Sequence, residues 1–224
     1  MSGHNGHLQA MGIDVWVRRA APGSPDCAGS GQSDQSGRSS ASLTDLQQDV
    51  STCTRCDLHR TRKHTVFGAG DAGADWMFVG EAPGAQEDRQ GLPFVGPAGQ
   101  LLNAMLLAIN TRRDRVYIAN VLKCRPPKNR DPQGVEVRQC EPYLHRQVAL
   151  IQPEIIVAMG RFAAQSLLKT TRPINELRGQ RFCYGDTGIP LIVTYHPAYL
   201  LRSPIEKRKA WSDLLFALDV VANR

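Results

Sequence analysis

The chain has 224 residues, enough for one domain with a sizeable hydrophobic core or for two small ones, and we expect one. Lys and Arg total 27 against 21 for Asp and Glu, so the formal net charge of +6 favours a polyanionic partner such as nucleic acid, although many proteins are mildly basic without one. The sequence contains neither an apolar run near the roughly 18 residues of a membrane span nor an N-terminal signal-peptide pattern, so a membrane protein is excluded and a cytoplasmic one is expected.

The N-terminal part of the chain differs in composition from the rest. Residues 22–42 are rich in Gly and Ser and have no apolar periodicity, so they cannot bury enough surface to offset the entropy of ordering. We therefore predict a disordered tail and linker over 1–42, followed by one domain over 43–224. Within the tail, residues 11–19 (MGIDVWVRR) combine apolar side chains with two arginines, which favours either a frayed end or a segment that docks on a protein partner.

From about residue 43, short apolar runs alternate with helical patterns. Strands are predicted at WMFVG (76–80), VYIANVL (116–122), EIIVAMG (154–160) and PLIVTYHP (190–197). Helices are predicted at 98–109, at 135–151 with Pro142 as a point where a kink can form, at 161–168, and from about 205 to the C-terminus. This alternation predicts an α/β fold, a three-layer α/β/α sandwich around a mostly parallel four-stranded sheet. The last helix is predicted to carry one apolar face made of Trp211, Leu214, Leu215, Leu218 and Val221.

Polar groups follow several of these strands. In open parallel sheets ligands bind at the carboxyl ends of the strands. This rule selects Glu81, Asn120, Gly160 and His196, one at the end of each strand. His196 precedes a proline, which restricts its backbone and helps to hold the imidazole in one place, although a lone histidine is more often structural than catalytic.

Two glycine-rich segments have different interpretations. GAGDAG (68–73) spells the dinucleotide-binding pattern but precedes the first strand instead of following it, so we interpret it as a loop. GEAPGAQEDRQGLPFVGPAGQLL (80–102) is an unusually long connection between a strand and a helix, and it contains acidic residues and one aromatic residue, Phe94. Such loops are typically functional, and a solvated acidic loop is the alternative.

The cysteines suggest a metal or redox site. Cys53 and Cys56 form a C-x-x-C pair amid Arg and Lys residues, and Cys124 and Cys140 follow, whereas Cys27 and Cys183 fall outside this spacing. Thiols stay reduced in the cytoplasm, so a disulfide framework is not favoured. A thioredoxin-like couple, zinc and an iron-sulfur cluster all fit a single C-x-x-C, and positive surroundings are expected to lower the thiol pKa.

Four motifs together resemble one known family. GEAPGAQED, PFVGPAGQLL, KCRPPKNR and HPAYLLR are similar, in order and spacing, to the motifs of family-four uracil-DNA glycosylases, and the resemblance covers roughly residues 45–222. It implies a uracil-DNA glycosylase-like fold and a monofunctional DNA repair enzyme of the bacterial or archaeal cytoplasm. This enzyme would hydrolyse the N-glycosidic bond of uracil in DNA and leave an abasic site. The resemblance also implies a 4Fe-4S cluster on Cys53, Cys56, Cys124 and Cys140.

The resemblance further implies roles for individual residues of the base pocket. Phe94 would stack on the flipped base, Asn120 would read the O4 and N3-H edge, and His196 would hydrogen-bond O2. Glu81 would orient water and stabilise the sugar cation, and Glu87 would lie near C5, where it helps to exclude the methyl group of thymine. The backbone around the base would be shaped by Gly80, Ala82, Pro83 and Gly84.

DNA contacts are expected from two further segments. HPAYLLR would enter the minor groove, with Leu200 or Leu201 filling the gap left by the base and Arg202 touching phosphate, although ordinary core leucines are the alternative. Phosphate contacts are also expected from the basic residues around the first cysteine pair, Arg55, Arg60, Arg62 and Lys63.

Two other functions remain open at this point. One is a protein that binds uracil in DNA without turnover, but covalent trapping through a histidine after the second strand is not supported, because residues 123–140 contain no histidine. The other is a zinc-dependent nucleic-acid-binding module without catalysis. In each case we expect a monomer.

Overall fold

The computed structural model describes residues 42–223, so the predicted tail and linker and the segment at 11–19 lie outside the described residues. One mixed sheet of six strands is formed by β1 (Ala69–Gly70), β2 (Trp76–Gly80), β3 (Tyr117–Asn120), β4 (Ile155–Met159), β5 (Arg181–Cys183) and β6 (Pro190–Thr194). The described helices are α1 (Leu43–Ser51), α2 (Ala85–Gln90), α3 (Pro97–Ala108), α4 (Gly134–Ile151), α5 (Arg161–Leu168), α6 (Ile174–Leu177), α7 (Pro197–Arg202) and α8 (Lys207–Ala222). None of them is long and apolar enough to cross a membrane.

The four central strands are parallel, in the order β3-β2-β4-β6, which confirms the predicted strands. The predicted number of four strands is wrong for the whole sheet, because β1 and β5 add short antiparallel edges on β3 and β6. Elements of two or three residues are too short to show a hydrophobic period, which is why the sequence pattern does not reveal them. Gly70 of β1 has φ +130 and approaches the edge so closely that a Cβ would lie 1.8 Å from the Val116 carbonyl oxygen.

Helices cover both faces of the sheet, which confirms the three-layer sandwich. Alternate side chains of a strand point to opposite faces. Met77 and Val79 of β2 pack in one core cluster with residues of α4 and α5, whereas Phe78 packs in another with residues of α3 and α8. The helix α4 continues through Pro142 to Ile151.

The apolar face predicted for α8 is only partly buried. Trp211 and Leu215 are 40% and 42% exposed, and the buried positions are Ala210, Asp213, Leu214, Ala217 and Val220. Asp213 can be buried because its carboxylate accepts two hydrogen bonds from Arg178, at 2.7 and 2.9 Å, and one from the Thr194 hydroxyl at 2.8 Å. A count of apolar residues cannot detect a buried, paired carboxylate. This network fixes α8 to Thr194, the last residue of β6, which lies two residues before His196.

Candidate active site

A cleft of about 420 Å³ lies at the carboxyl ends of the parallel strands. The residues that follow strand β2 form one wall of the cleft, and strand β3 ends with Asn120. Strand β6 leads into α7, which begins directly after His196. The residues selected from the sequence that line this cleft are Glu81, Ala82, Pro83, Gly84, Glu87, Phe94, Asn120, His196 and Arg202. The fold therefore brings together three of the four strand-end residues, in the way the strand-end rule predicts.

Gly80 at the end of β2 is the point where two of these side chains meet. A Cβ on Gly80 would lie 2.4 Å from Asn120 Oδ1 and 2.7 Å from Phe94 Cζ. No side chain fits at this position without displacing one of the two groups. Glycine here lets the Asn120 amide and the Phe94 ring approach the end of the strand together.

The backbone of Phe94 has an unusual conformation, with φ +51 in a residue that is not glycine. The Arg113 guanidinium stabilises this turn, because it donates to the carbonyl oxygen of Phe94 at 3.1 Å and to the carbonyl oxygen of Pro93. The Phe94 ring lies 5.4 Å from the His196 imidazole, with 28° between the two planes. Sequence reasoning missed Arg113, because nothing in the local pattern separates it from the neighbouring surface arginines.

Asn120 is 2% exposed, and its Oδ1 is buried without a hydrogen-bond partner among the described residues. Its backbone is firmly held instead, because the buried Lys123 ammonium donates to the Asn120 carbonyl at 2.8 Å and to Gln147 Oε1 at 2.6 Å. Gln147 Nε2 in turn donates to the Phe67 carbonyl at 2.9 Å and to the Tyr117 hydroxyl at 3.1 Å. Burial lowers the pKa of Lys123 to about 8. Neither Lys123 nor Gln147 was selected from the sequence.

The proton on His196 can be assigned from one hydrogen bond. The Ala198 backbone N–H donates to His196 Nδ1 at 3.1 Å, so Nδ1 is an acceptor and the neutral ring carries its proton on Nε2. Burial, with a further contribution from Arg202, lowers the pKa of His196 to about 4, against an opposing effect of Glu87. The imidazole is therefore neutral at pH 7. Gly160 packs beneath it, since a Cβ there would lie 2.9 Å from His196 Cβ.

The two glutamates that line the cleft, Glu81 and Glu87, have different environments. Glu87 Oε1 accepts from the backbone N–H groups of Val95 and Gly96 at 3.0 and 3.1 Å, which fixes its carboxylate. The pKa of Glu81 is raised, first by burial and then by Asp131, while Arg161 lowers it. Asp131 and Arg161 form an ion pair at 3.1 Å. The proton affinity of Glu81 therefore depends on a charge pair outside the cleft lining.

The four predicted ligand cysteines line a second cavity together. Arg62 Nη1 donates to Cys124 Sγ at 3.2 Å, and the Lys123 backbone N–H donates to Cys140 Sγ at the same distance. The expectation of lowered thiol pKa values is wrong for three of these residues. Burial is the largest effect and raises the pKa of Cys56 and Cys124, and that of Cys140 to about 12.

The structure separates the two leucines proposed as a wedge. Leu200 is 1% exposed and packs with Tyr195 and Ala210, so its assignment to the DNA gap is corrected: a side chain held in the core cannot enter DNA. Leu201 is 44% exposed and stays a candidate. Arg202 is exposed at the mouth of the cleft.

The basic residues near Cys53 are also not equivalent. Arg62 is a partner of the cysteine segment, because its guanidinium donates to Cys124 Sγ and to the Ser51 carbonyl oxygen, and its phosphate contact stays a prediction. Arg55 lies over the Tyr143 ring at 4.9 Å, and Arg60 forms an exposed ion pair with an aspartate. Lys63 is exposed, and no hydrogen bond or ion pair of its ammonium is found within residues 42–223.

Comparison with known proteins places this cleft in a family. The family model "Uracil DNA glycosylase superfamily" matches residues 67–215. A type-4 uracil-DNA glycosylase from Archaeoglobus fulgidus is 46% identical over 77% of this chain and 89% of its own length, and one from Pyrobaculum aerophilum is 41% identical over 77% and 91%. The chain belongs to the type-4 uracil-DNA glycosylases. A type-5 uracil-DNA glycosylase from Pyrobaculum aerophilum is more distant, at 32% identity over 58% of this chain.

The superfamily match covers every residue that lines the cleft, from Glu81 to Arg202, together with Cys124 and Cys140. The segment with the first cysteine pair precedes the match.

Proposed function

We propose that this protein removes uracil from DNA by hydrolysing the N-glycosidic bond, and that it leaves an abasic site for base excision repair. The observation that carries the proposal is Asn120 Oδ1 in the cleft, which is buried and has no hydrogen-bond partner among the residues that the structure describes. A buried acceptor without a partner is costly unless a ligand supplies the donor. The names of the type-4 relatives support uracil in DNA as the source of that ligand.

Recognition of the base follows from the chemistry of the Asn120 amide. Its Oδ1 accepts from uracil N3–H, and its NH₂ group donates to uracil O4. Cytosine offers an unprotonated N3 and an amino group at these positions. The Asn120 oxygen would then face an acceptor and its NH₂ group would face a donor. The Lys123 bond to the Asn120 carbonyl keeps the amide in place.

A base inside duplex DNA cannot reach this amide. The nucleotide must be unstacked and rotated into the cleft, where the Phe94 ring offers a stacking surface. The left-handed turn of Phe94, held by Arg113, presents that ring without a rearrangement of the loop. We assign to Leu201 the filling of the gap left in the duplex, and to Arg202 a phosphate contact.

Bond cleavage separates a uracil anion from a sugar with oxocarbenium character. Neutral His196 donates its Nε2–H to O2, where the negative charge of the leaving base gathers. Its Nδ1 is already occupied by the Ala198 N–H, so the proton cannot be on the wrong nitrogen. Donors of this type are worth about 2.7–4 kcal/mol in other enzymes.

The two glutamates of the cleft act on the sugar, on the attacking water and on the C5 side of the base. Glu81, once ionised, stabilises the positive sugar and orients the attacking water. Glu87 is held by two backbone N–H groups, so it forms a rigid wall near C5 and disfavours a base that carries a methyl group there.

We further propose that Cys53, Cys56, Cys124 and Cys140 hold a 4Fe-4S cluster. The four thiols line one cavity. Four thiolates can hold either a 4Fe-4S cluster or a structural zinc ion, and the resemblance of the four-cysteine spacing to that of family-four uracil-DNA glycosylases favours the cluster. Arg62 and the Lys123 N–H would hydrogen-bond to ligand sulfurs and offset their negative charge.

The role of this cluster is structural, because hydrolysis requires no electron transfer. Bound by these four thiols, it would tie the segment after α1 to the residues that follow β3 and to α4. Iron and zinc analysis of anaerobically purified protein, together with visible absorbance, tests the assignment. Iron with a broad visible band is expected, and colourless zinc protein would contradict it.

Uracil excision is tested by incubating the protein with a single-uracil oligonucleotide and then treating the DNA with alkali. Strand breakage is expected at the uracil position, and none with a thymine oligonucleotide. His196→Ala is expected to reduce breakage strongly, whereas His145→Ala, outside the cleft, should not. Intact DNA after alkali would refute the proposed function.

A further inference from the structure

The loop between β3 and α4, residues 125–130 (RPPKNR), forms part of the cleft wall. Its residues Pro126, Asn129 and Arg130 line the same cleft as His196 and Arg202. A nucleotide that enters the cleft must carry its sugar-phosphate backbone past this loop.

The backbone of the loop is held in an unfavourable form. Lys128 and Asn129 are consecutive residues with φ +55, and neither is glycine. Such conformations persist only where the surroundings determine them. Here the Arg125 guanidinium donates to Asn129 Oδ1 at 2.7 Å, and the Asn129 and Arg130 N–H groups donate to the Pro126 and Pro127 carbonyls.

The three basic side chains of the loop differ in their partners. Arg130 is neutralised, because its guanidinium donates to both carboxylate oxygens of Glu136 at 3.0 and 2.5 Å. Among the described residues, the Arg125 guanidinium bonds only the neutral Asn129 amide. The Lys128 side chain is exposed, and no ion pair within residues 42–223 involves it. Two positive charges therefore stand uncompensated on a rigid turn beside the cleft.

We propose that this loop is a phosphate-binding wall, in which Lys128 and then Arg125 contact DNA phosphates next to the flipped nucleotide. With Arg202 on α7, the loop would bracket the backbone from two sides of the cleft. The rigid turn places the ammonium before DNA arrives, so less conformational freedom is lost on binding. This assignment rests on the proposed function for its choice of DNA as the anion.

The test measures how salt weakens binding to a duplex with a stable abasic-site analogue. Each phosphate contact contributes about 0.9 to the slope of log affinity against log salt. The magnitude of this slope is therefore expected to be about 0.9 smaller for Lys128→Gln than for the wild type. Between about 50 and 200 mM salt, the affinity of the variant should then fall about 3.5-fold less than that of the wild type. Lys128→Arg should keep the wild-type slope.

Lys169→Gln is the matched control. Lys169 is also an exposed lysine with left-handed backbone, φ +52, but its ammonium pairs with Glu141. It directly follows the C-terminal end of α5 and does not line the cleft. An unchanged slope in Lys128→Gln, or an equal decrease in Lys169→Gln, would overturn the assignment.

Uracil release by the wild-type protein is measured in the same preparations. Release combined with an unchanged slope in Lys128→Gln overturns the role of the loop alone. Absence of release overturns the proposed function, and a decreased slope would then still show that the loop binds DNA. Equal thermal unfolding midpoints of Lys128→Gln and the wild type confirm that the slopes compare folded proteins.

Discussion

Replacing Asn120 with alanine should separate activity from stability. Most buried polar side chains stabilise a fold through their hydrogen bonds, so their removal is costly. Asn120 Oδ1 is buried but has no hydrogen-bond partner within residues 42–223. Asn120→Ala therefore removes an unsatisfied acceptor, while the adjacent cleft lets water occupy the vacated space.

The expected changes in the free energy of unfolding and in kcat follow from the hydrogen bonds of Asn120. A buried unsatisfied acceptor costs about 1–3 kcal/mol, so the free energy of unfolding should not fall in Asn120→Ala and should rise by up to that amount. Loss of the base contact should lower kcat by roughly 100- to 1000-fold, the range for removal of a preorganised donor in other enzymes. Higher or equal stability with much lower activity is the expected combination.

Gln147→Ala provides the contrast, because Gln147 is a buried carboxamide with three hydrogen bonds. Its loss also leaves the buried Lys123 ammonium without one partner, so a destabilisation of about 2–5 kcal/mol is expected. Chemical denaturation of both variants, alongside single-turnover uracil release, is the assay. If Asn120→Ala is as unstable as Gln147→Ala, the Asn120 amide is a structural group and is not reserved for a ligand.

Two further predictions concern the geometry and the charges of the cleft. Gly80→Ala would place a methyl group 2.4 Å from Asn120 Oδ1 and 2.7 Å from Phe94 Cζ, so one of these groups must move, and uracil release should fall about 100-fold. The unfolding midpoint should also fall, because overpacking a buried position costs about 1–3 kcal/mol. The pH profile of kcat should lose activity on the acidic side where Glu81 is protonated, above the ordinary range for glutamate because its pKa is raised. Asp131→Asn removes a group that raises this pKa and should shift the acidic limb to lower pH, whereas Arg161→Gln should shift it to higher pH. Shifts in the same direction, or none, would show that Glu81 does not govern the limb.

The parts of the site that lie at strand ends could be predicted from the sequence. Glu81, Asn120 and His196 follow apolar runs that are recognisable as buried strands, and parallel strands end at the same edge of a sheet. The central strands and the main helices were predictable for the same reason, since each has a clear hydrophobic period.

Contacts between distant segments could not be predicted in this way. Arg113 reaches the Phe94 turn across 19 residues, and Lys123 meets Gln147 across 24, through bonds that leave no local pattern. The burial of Leu200 next to the exposed Leu201 depends on how α7 packs against α8. These features are set by tertiary packing, so they required the structure.

Identification of both reaction products tests the central claim most directly. Wild-type protein is incubated with an oligonucleotide that carries one uracil, and free base and intact strand mass are measured without alkali. The account predicts free uracil in equal amount to a full-length strand in which a hydroxyl group replaces the base, and neither product with His196→Ala at comparable times. An unchanged strand, or a strand cut without release of uracil, would contradict it.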